Sequence, residues 1–243
     1  MKKVYLYKGY ERFWHWTQTV LVFILLITGF EIHGSYSLLG YEQAVNIHNT
    51  SAWVFLVLTV FTIFWHVTTS AWRQYIPTRK NFKEQIDYYI SGIFKRMPHP
   101  TGKTLLSKLN PIQRVVYLAL KILVFPVMFA TGFLYLFFHF PVQGIELQSL
   151  ESIAVIHTLG AYVLVAFVVV HLYLITTGRT TFSNLKAMVT GWEEIPDAEV
   201  KAVIQDVIDE TGQLIRHSNG KKGEKERKEV NTVVSEAFNE KIN

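Results

Sequence analysis

The chain has 243 residues, half of them hydrophobic, with a formal net charge of +5 at pH 7. That is too apolar for an ordinary soluble domain and marks a polytopic membrane protein. The absence of cysteine excludes disulfides, iron–sulfur clusters, thiolate metal sites and covalently attached c-type haem, and the basic residues flank apolar spans, which argues against a nucleic-acid partner.

Met1 to Arg12 is short and basic. The first apolar span follows, Phe13 to Phe30, with His15 at its start between Trp14 and Trp16, side chains that favour a membrane interface. It lacks a small-residue cleavage site and reads as a retained span, not a signal peptide. The loop from Glu31 to Gln43 contains no Lys or Arg. The second span runs from Ala44 to Trp72, with His48 near its start and His66 near its end.

Arg73 to Arg114 is the longest connection and carries many basic residues. Within it Phe82, Ile86, Tyr89, Ile90, Ile93, Phe94 and Met97 recur at helical spacing, which predicts an amphipathic helix on the membrane surface. The third span, Val115 to Phe140, contains Lys121 and a potential kink at Pro126. Pro141 to Glu151 again lacks Lys and Arg. Ser152 to Gly178 is the fourth span, free of formal charge. After Gly191 the chain turns polar. Val200, Val203, Ile204, Val207, Ile208, Leu214 and Ile215 form an apolar stripe, read either as a tail packing on its own loop or as a docking surface. Arg216 to Glu229 is a charged link.

The expected architecture is an all-α membrane protein: a four-transmembrane-helix bundle with a cytoplasmic amphipathic loop and a helical C-terminal tail. Residues 1–190 form the membrane domain and 191–243 the cytoplasmic tail. Lys and Arg gather in the N-terminus, the long central loop and the segment after Gly178. The positive-inside rule therefore puts both termini and that loop in the cytoplasm of an inner-membrane, multi-pass protein. A weak repeat relates spans one and two to spans three and four: Ile27-Thr28-Gly29-Phe30 matches Ala130-Thr131-Gly132-Phe133, and Ile47-His48 onward matches Ile156-His157 onward.

His157 and His171 lie fourteen residues apart on the fourth span. On a helix that is about four turns less roughly 40°, so both face one side, about 21 Å apart. Histidines in membrane spans are costly and usually functional. By depth, His48 pairs with His157 near the outer face, and His15 with His171 near the inner face. Two imidazoles facing across a gap form the axial ligand set of a non-covalent haem b. Gly29 and Gly132 would leave room for a macrocycle, although small residues also serve helix–helix contact. His66, five turns from His48 on the same face, is open as an alternative inner ligand, a propionate partner or a quinone-site group. His33, His99, His139 and His217 lie at edges or in loops and read as structural.

Arg12-Phe13-Trp14-His15-Trp16-Thr17, then Thr28-Gly29, then the paired histidines of the fourth span resemble one family over roughly residues 8 to 190. It comprises the di-haem cytochrome b subunits of respiratory formate dehydrogenases (the gamma subunit), Ni,Fe-hydrogenases and thiosulfate reductases, within the cytochrome b561-like superfamily. The resemblance implies His48 with His157 on an outer haem b and His15 with His171 on an inner haem b. It also implies a menaquinone or ubiquinone pocket beside the inner haem. Asn110-Pro111-Ile112-Gln113 is similar to the Asn-x-x-Gln run bordering that pocket, with Pro111 and Ile112 in place of small residues. Asn110 equally suits a helix cap before Pro111.

The expected function is electron transfer across the membrane between an extracytoplasmic partner and the quinone pool. The short outer loops cannot house a further redox centre, so that partner is expected to be an iron–sulfur or multihaem c-type cytochrome subunit. The competing readings are a histidine-relay ion or proton carrier and a haem-free membrane anchor.

Overall fold

The computed structural model describes residues 2–95, 97, 100–101, 108–139 and 150–195. The apolar stripe and charged link of the C-terminal tail, His99 and His217 lie outside the described residues, as does most of the loop after the third span.

In chain order the elements are strand β1 (Lys2–Tyr5), helices α1 (Gly9–Ile32) and α2 (Tyr41–Thr68), a 3₁₀ turn (Ala71–Tyr75), α3 (Phe82–Asp87) continued by a π-helical turn (Tyr88–Gly92), α4 (Pro111–Ala119), a second π-helical turn (Leu120–Val124), α5 (Phe125–His139), α6 (Glu151–Ile175), α7 (Ser183–Thr190) and strand β2 (Trp192–Ile195). Four helices are long and apolar enough to cross a membrane: Gly9–Ile32, Tyr41–Thr68, Pro111–Phe138 and Glu151–Ile175. At 24 to 28 residues each, they exceed the ~20 that a bilayer core requires. The four spans expected from the sequence are therefore present, with the third starting earlier, at Pro111. Proline is favoured at a first helical position because its missing N–H has no helical partner there.

The third span is continuous but not uniform. Its π-helical turn ends at Val124, two residues before Pro126. Proline offers no N–H to the carbonyl four residues back and its ring crowds that carbonyl. Widening the preceding turn accommodates both demands, and this is the form taken by the expected irregularity.

The chain divides into two compact units: residues 10–73 with 116–176, and residues 1–9 with 74–115 and 177–243. The first is the membrane bundle. Its core is Leu21, Phe55, Leu58, Leu120, Phe125 and Leu164, with Trp14, Met128 and Phe129 packed against it. Phe55 meets Phe125 at a ring separation of 5.2 Å and Phe129 at 5.5 Å. Apolar side chains such as Val57, Phe61, Phe64, Ile122 and Val163 are exposed, as a lipid-facing surface requires.

The loop joining α1 to α2 is organised by Glu31. Its Oε1 accepts backbone N–H bonds from Leu38, Leu39 and Gly40 at 2.7, 2.6 and 2.8 Å. Gly40 is the N-cap of α2, has φ +89° and brings no side-chain cap. Glu31 thus supplies from the preceding helix the anionic acceptor that a helix N-terminus favours, and so fixes where α2 begins.

In the second unit β1 and β2 pair antiparallel, Lys2 opposite Ile195 and Tyr5 opposite Trp192. Lys3 faces Glu194 across the ladder, an opposite-charge pair of the kind that stabilises such pairings. Gly191, at φ +89°, turns α7 into β2, and its carbonyl accepts from the N–H groups of Leu6 and Tyr7 at 2.8 and 3.1 Å. This two-stranded sheet is an addition to the expected all-helical plan. The expected amphipathic helix of the central loop is realised as α3 and its π turn, with Ile90, Phe94 and Met97 exposed.

Candidate functional site

The bundle brings its histidines together in two pairs. His48 of α2 faces His157 of α6 with ring centres 6.4 Å apart and planes inclined by 62°. His15 of α1 faces His171 of α6 at 6.3 Å and 51°. An imidazole nitrogen lies about 2 Å from a bound first-row metal, so each ring centre sits roughly 3 Å from it. Both pairs therefore have the span that one metal between two imidazoles needs. Leu164 is seven residues from each α6 histidine, so the apolar core forms a layer between the two pairs.

The His48–His157 pair is held by threonines to which the sequence alone assigns no role. Thr28 Oγ donates to the Ile24 carbonyl at 2.7 Å and lies 2.9 Å from His48 Nδ1. Thr131 Oγ donates to the Val127 carbonyl at 2.7 Å and lies 2.7 Å from His157 Nδ1. A hydroxyl has one proton. With that proton on the helix, each oxygen accepts from the imidazole, which places the ring proton on Nδ1 and leaves Nε2 with its lone pair. Such a partner fixes both tautomer and ring orientation in a metal-binding histidine. The neighbouring glycines complete the arrangement. A Cβ on Gly29 would lie 3.2 Å from His48 Cε1, and one on Gly132 would lie 3.7 Å from His157 Cε1. Each Thr-Gly pair thus orients one imidazole and gives it space. The sequence signal is the repeat itself, in which Thr and Gly recur together.

The His15–His171 pair is held differently. His171 stacks on Phe167, one turn earlier on α6, at 5.5 Å with an interplanar angle of 15°. The Tyr117 hydroxyl lies 3.4 Å from His171 Nδ1. His15 packs edge-on to Trp16, and its Nδ1 is buried without a hydrogen-bond partner among the described residues. Aromatic packing orients the rings here, and the Tyr117 hydroxyl is the polar group near His171 Nδ1.

His66 is elsewhere engaged. Its Nδ1 bonds the Thr62 carbonyl at 2.7 Å and its Nε2 lies 3.1 Å from Lys121 Nζ. Asn110 and Gln113, in the other compact unit, form a reciprocal cap. Gln113 N–H donates to Asn110 Oδ1 at 2.9 Å, and Asn110 N–H donates to Gln113 Oε1 at 3.1 Å. Both carbonyl oxygens are spent on the start of α4, a capping box in form. Asn110 Nδ2 also donates to the Tyr89 hydroxyl at 2.6 Å.

A family model described as prokaryotic cytochrome b561 matches residues 6–191. The chain belongs to the prokaryotic cytochrome b561 family. The Escherichia coli (strain K12) protein named "Putative cytochrome YdhU" is 29% identical over 203 residues, covering 79% of this chain and 75% of that protein. No solved structure gives a significant match. As a member of this family with four apolar helices, the cytochrome is an inner-membrane protein that binds haem b and serves electron transfer. The resemblance read from the Trp-His-Trp, Thr-Gly and paired-histidine motifs is thereby borne out.

Proposed function

We propose that this cytochrome is the di-haem electron-transfer subunit of a respiratory oxidoreductase, linking an extracytoplasmic redox subunit to the quinone pool. The observation that carries the reading is the pair of facing histidine sets, spanning 6.4 and 6.3 Å, at opposite ends of α6. His48 with His157 would hold one haem b and His15 with His171 the second. Haem b, when bound, supplies one-electron chemistry whose potential is tuned by its axial ligands and burial. The chain's own residues do the rest. Thr28 and Thr131 present two Nε2 lone pairs at fixed angles, Phe167 and Tyr117 steady His171, and the Leu21–Phe55–Leu164 layer keeps the interior between the sites dry.

That layer also speaks against the histidine-relay reading. A proton file would have to cross Leu21, Phe55, Leu58, Leu120, Phe125 and Leu164, none of which carries a protonatable group. The paired geometry likewise gives four histidines a purpose that a haem-free anchor would lack.

The distribution of Lys and Arg supports an orientation with both termini cytoplasmic and the His48–His157 pair outermost. In that orientation His48 and His157 face an iron–sulfur or multihaem c-type subunit outside, and His15 and His171 serve menaquinone or ubiquinone on the cytoplasmic side. The family resemblance supports Asn110 and Gln113 as quinone contacts. Within the cap, Gln113 keeps its Nε2 amide for that purpose.

The test is stoichiometry. A pyridine haemochrome assay on the purified protein is expected to give two b haems per chain, with low-spin bis-histidine spectra. One haem per chain, or a high-spin spectrum in the native protein, would defeat the di-haem assignment.

A further inference from the structure

A set of ionisable side chains in the membrane bundle lies outside both histidine pairs. Lys121, on the π-helical turn of the third span, sets its Nζ 3.1 Å from His66 Nε2 and 4.9 Å above the ring of Trp14. His66 is 5% exposed, and Trp14 meets it edge-on at 5.6 Å. Because His66 Nδ1 is bonded to the Thr62 carbonyl at 2.7 Å, the ring proton lies on Nδ1. Nε2 therefore accepts from Lys121. A lysine amine and a lysine ammonium both have N–H to donate, so the same hydrogen bond stands whether the pair carries the extra proton or not. Two basic groups paired within a membrane span, with a π-face beneath the amine to favour its cationic form, make a site that can hold one proton or none at little structural cost.

The position of this site ties it to one haem. Trp14 is next to His15 in the chain. Tyr117, one helical turn before Lys121, has its hydroxyl 3.4 Å from His171 Nδ1. We propose that Lys121 and His66 form a proton-accepting site coupled to the redox state of the haem held by His15 and His171. This rests on the di-haem reading above. Reduction of a haem held there by one electron would remove one unit of positive charge from the site. In a low-dielectric bundle that change favours a cation nearby. Lys121 Nζ then binds one proton from water, giving an ammonium hydrogen-bonded to His66, and releases it when the electron leaves to an acceptor such as quinone. Charge entering the interior is thus balanced one for one.

Among the described residues, the groups around the pair lie on the first three spans, and His171 of the fourth is reached through Tyr117. On α1, Glu11 is buried in the first turn and acts electrostatically on His66. On α2 there is the Thr62 carbonyl. On the third span Tyr117 lies one turn back, and on α6 His171 lies beyond Tyr117.

The test is redox potentiometry on the full-length haem-loaded protein across neutral pH, following the two spectral components separately. In the native protein the midpoint of the His15–His171 component should fall as pH rises. The limit is a tenfold change in the reduction equilibrium per tenfold change in proton concentration, or about 59 mV for one electron. The His48–His157 component should move less. Lys121→Met should flatten the first slope at a lower potential, and Lys121→Arg should flatten it at a higher one, because guanidinium keeps its proton throughout. If Lys121→Met loses that haem, the slope in Lys121→Arg decides the question alone. A native component whose potential ignores pH overturns the proposal. So does a slope that persists in Lys121→Arg, which would put the proton on another group such as a haem propionate. Absence of a second component in the native protein would instead defeat the di-haem reading.

Discussion

Thr131 Oγ lies 2.7 Å from His157 Nδ1 while donating its own proton to the Val127 carbonyl. Thr28 repeats the relationship at His48, with 2.9 Å to Nδ1 and 2.7 Å to Ile24. Two threonines from two halves of a repeat thus hold two imidazoles by Nδ1 and leave each Nε2 with its lone pair. A hydrogen bond accepted from Nδ1–H makes the imidazole more electron-rich and stabilises the higher oxidation state of a bound metal.

Replacing Thr28 or Thr131 by Val keeps the shape and removes that bond. The midpoint potential of a haem held by His48 and His157 should rise. If the bond contributes ~1 kcal/mol, the shift is about 40 mV for one electron. A haem held by His15 and His171, which have no threonine partner of this kind among the described residues, should keep its potential. Spectrally resolved titration of membranes checks both halves, and an equal shift in both components would refute the assignment.

The glycines beside those threonines predict a graded effect. A methyl at position 29 would meet His48 Cε1 at 3.2 Å, closer than ordinary packing, whereas one at 132 would meet His157 Cε1 at 3.7 Å. Gly29→Ala should therefore reduce occupancy of the His48–His157 haem, and Gly132→Ala should reduce it less. Haem content per chain, measured after purification at equal expression, should follow the order native, Gly132→Ala, Gly29→Ala. The reverse order would show that the clearance is not set by the imidazoles.

The spans were legible from the length of the apolar runs, and the histidine pairing from depth along those spans. A run of apolar residues has a length, and fourteen residues on a helix return to one face. The partners of Nδ1 were not legible in the same way. Thr28 and Thr131 are i to i−4 back-bonding threonines, a habit of many membrane helices, and only the neighbouring helix decides whether the second lone pair is used. His66 was open to several roles because depth along a helix does not reveal which side chain crosses from the next one. Lys121 reaches it from a π-helical turn, and the Pro126 that accounts for that turn was visible only as a potential kink. The sheet joining Lys2–Tyr5 to Trp192–Ile195 escaped because four-residue strands have too little alternation to stand out from loop.

Asn110 has two roles to separate, helix cap and quinone contact. Asn110→Ala removes the acceptor for Gln113 N–H and should cost roughly 1 kcal/mol of stability. Asn110→Ser retains a capping oxygen and should recover most of that loss. If Asn110 also contacts quinone, the Ser variant should still show weakened quinol-dependent haem reduction, as a raised KM at near-native thermal stability. Native kinetics in the Ser variant would confine Asn110 to the cap.

On the di-haem proposal the two haems should be separable by mutation, since His157 and His171 lie about 21 Å apart along α6 with an apolar layer between. His157→Ala and His48→Ala should each remove the same spectral component, and His171→Ala and His15→Ala the other. Loss of the first component should block exchange with the extrinsic partner while quinol still reduces the second. Loss of the second should abolish reduction by quinol analogues. His66→Ala should retain both components, because both of its ring nitrogens are hydrogen-bonded within the bundle. A haem that binds only the folded chain would also stabilise it, so the titrations belong in native membranes, with immunodetection confirming equal amounts of each variant. If His15→Ala and His48→Ala remove the same component, the pairing is wrong. If His66→Ala removes the second component and His15→Ala spares it, His66 is the ligand and His15 is an interfacial aromatic beside two tryptophans.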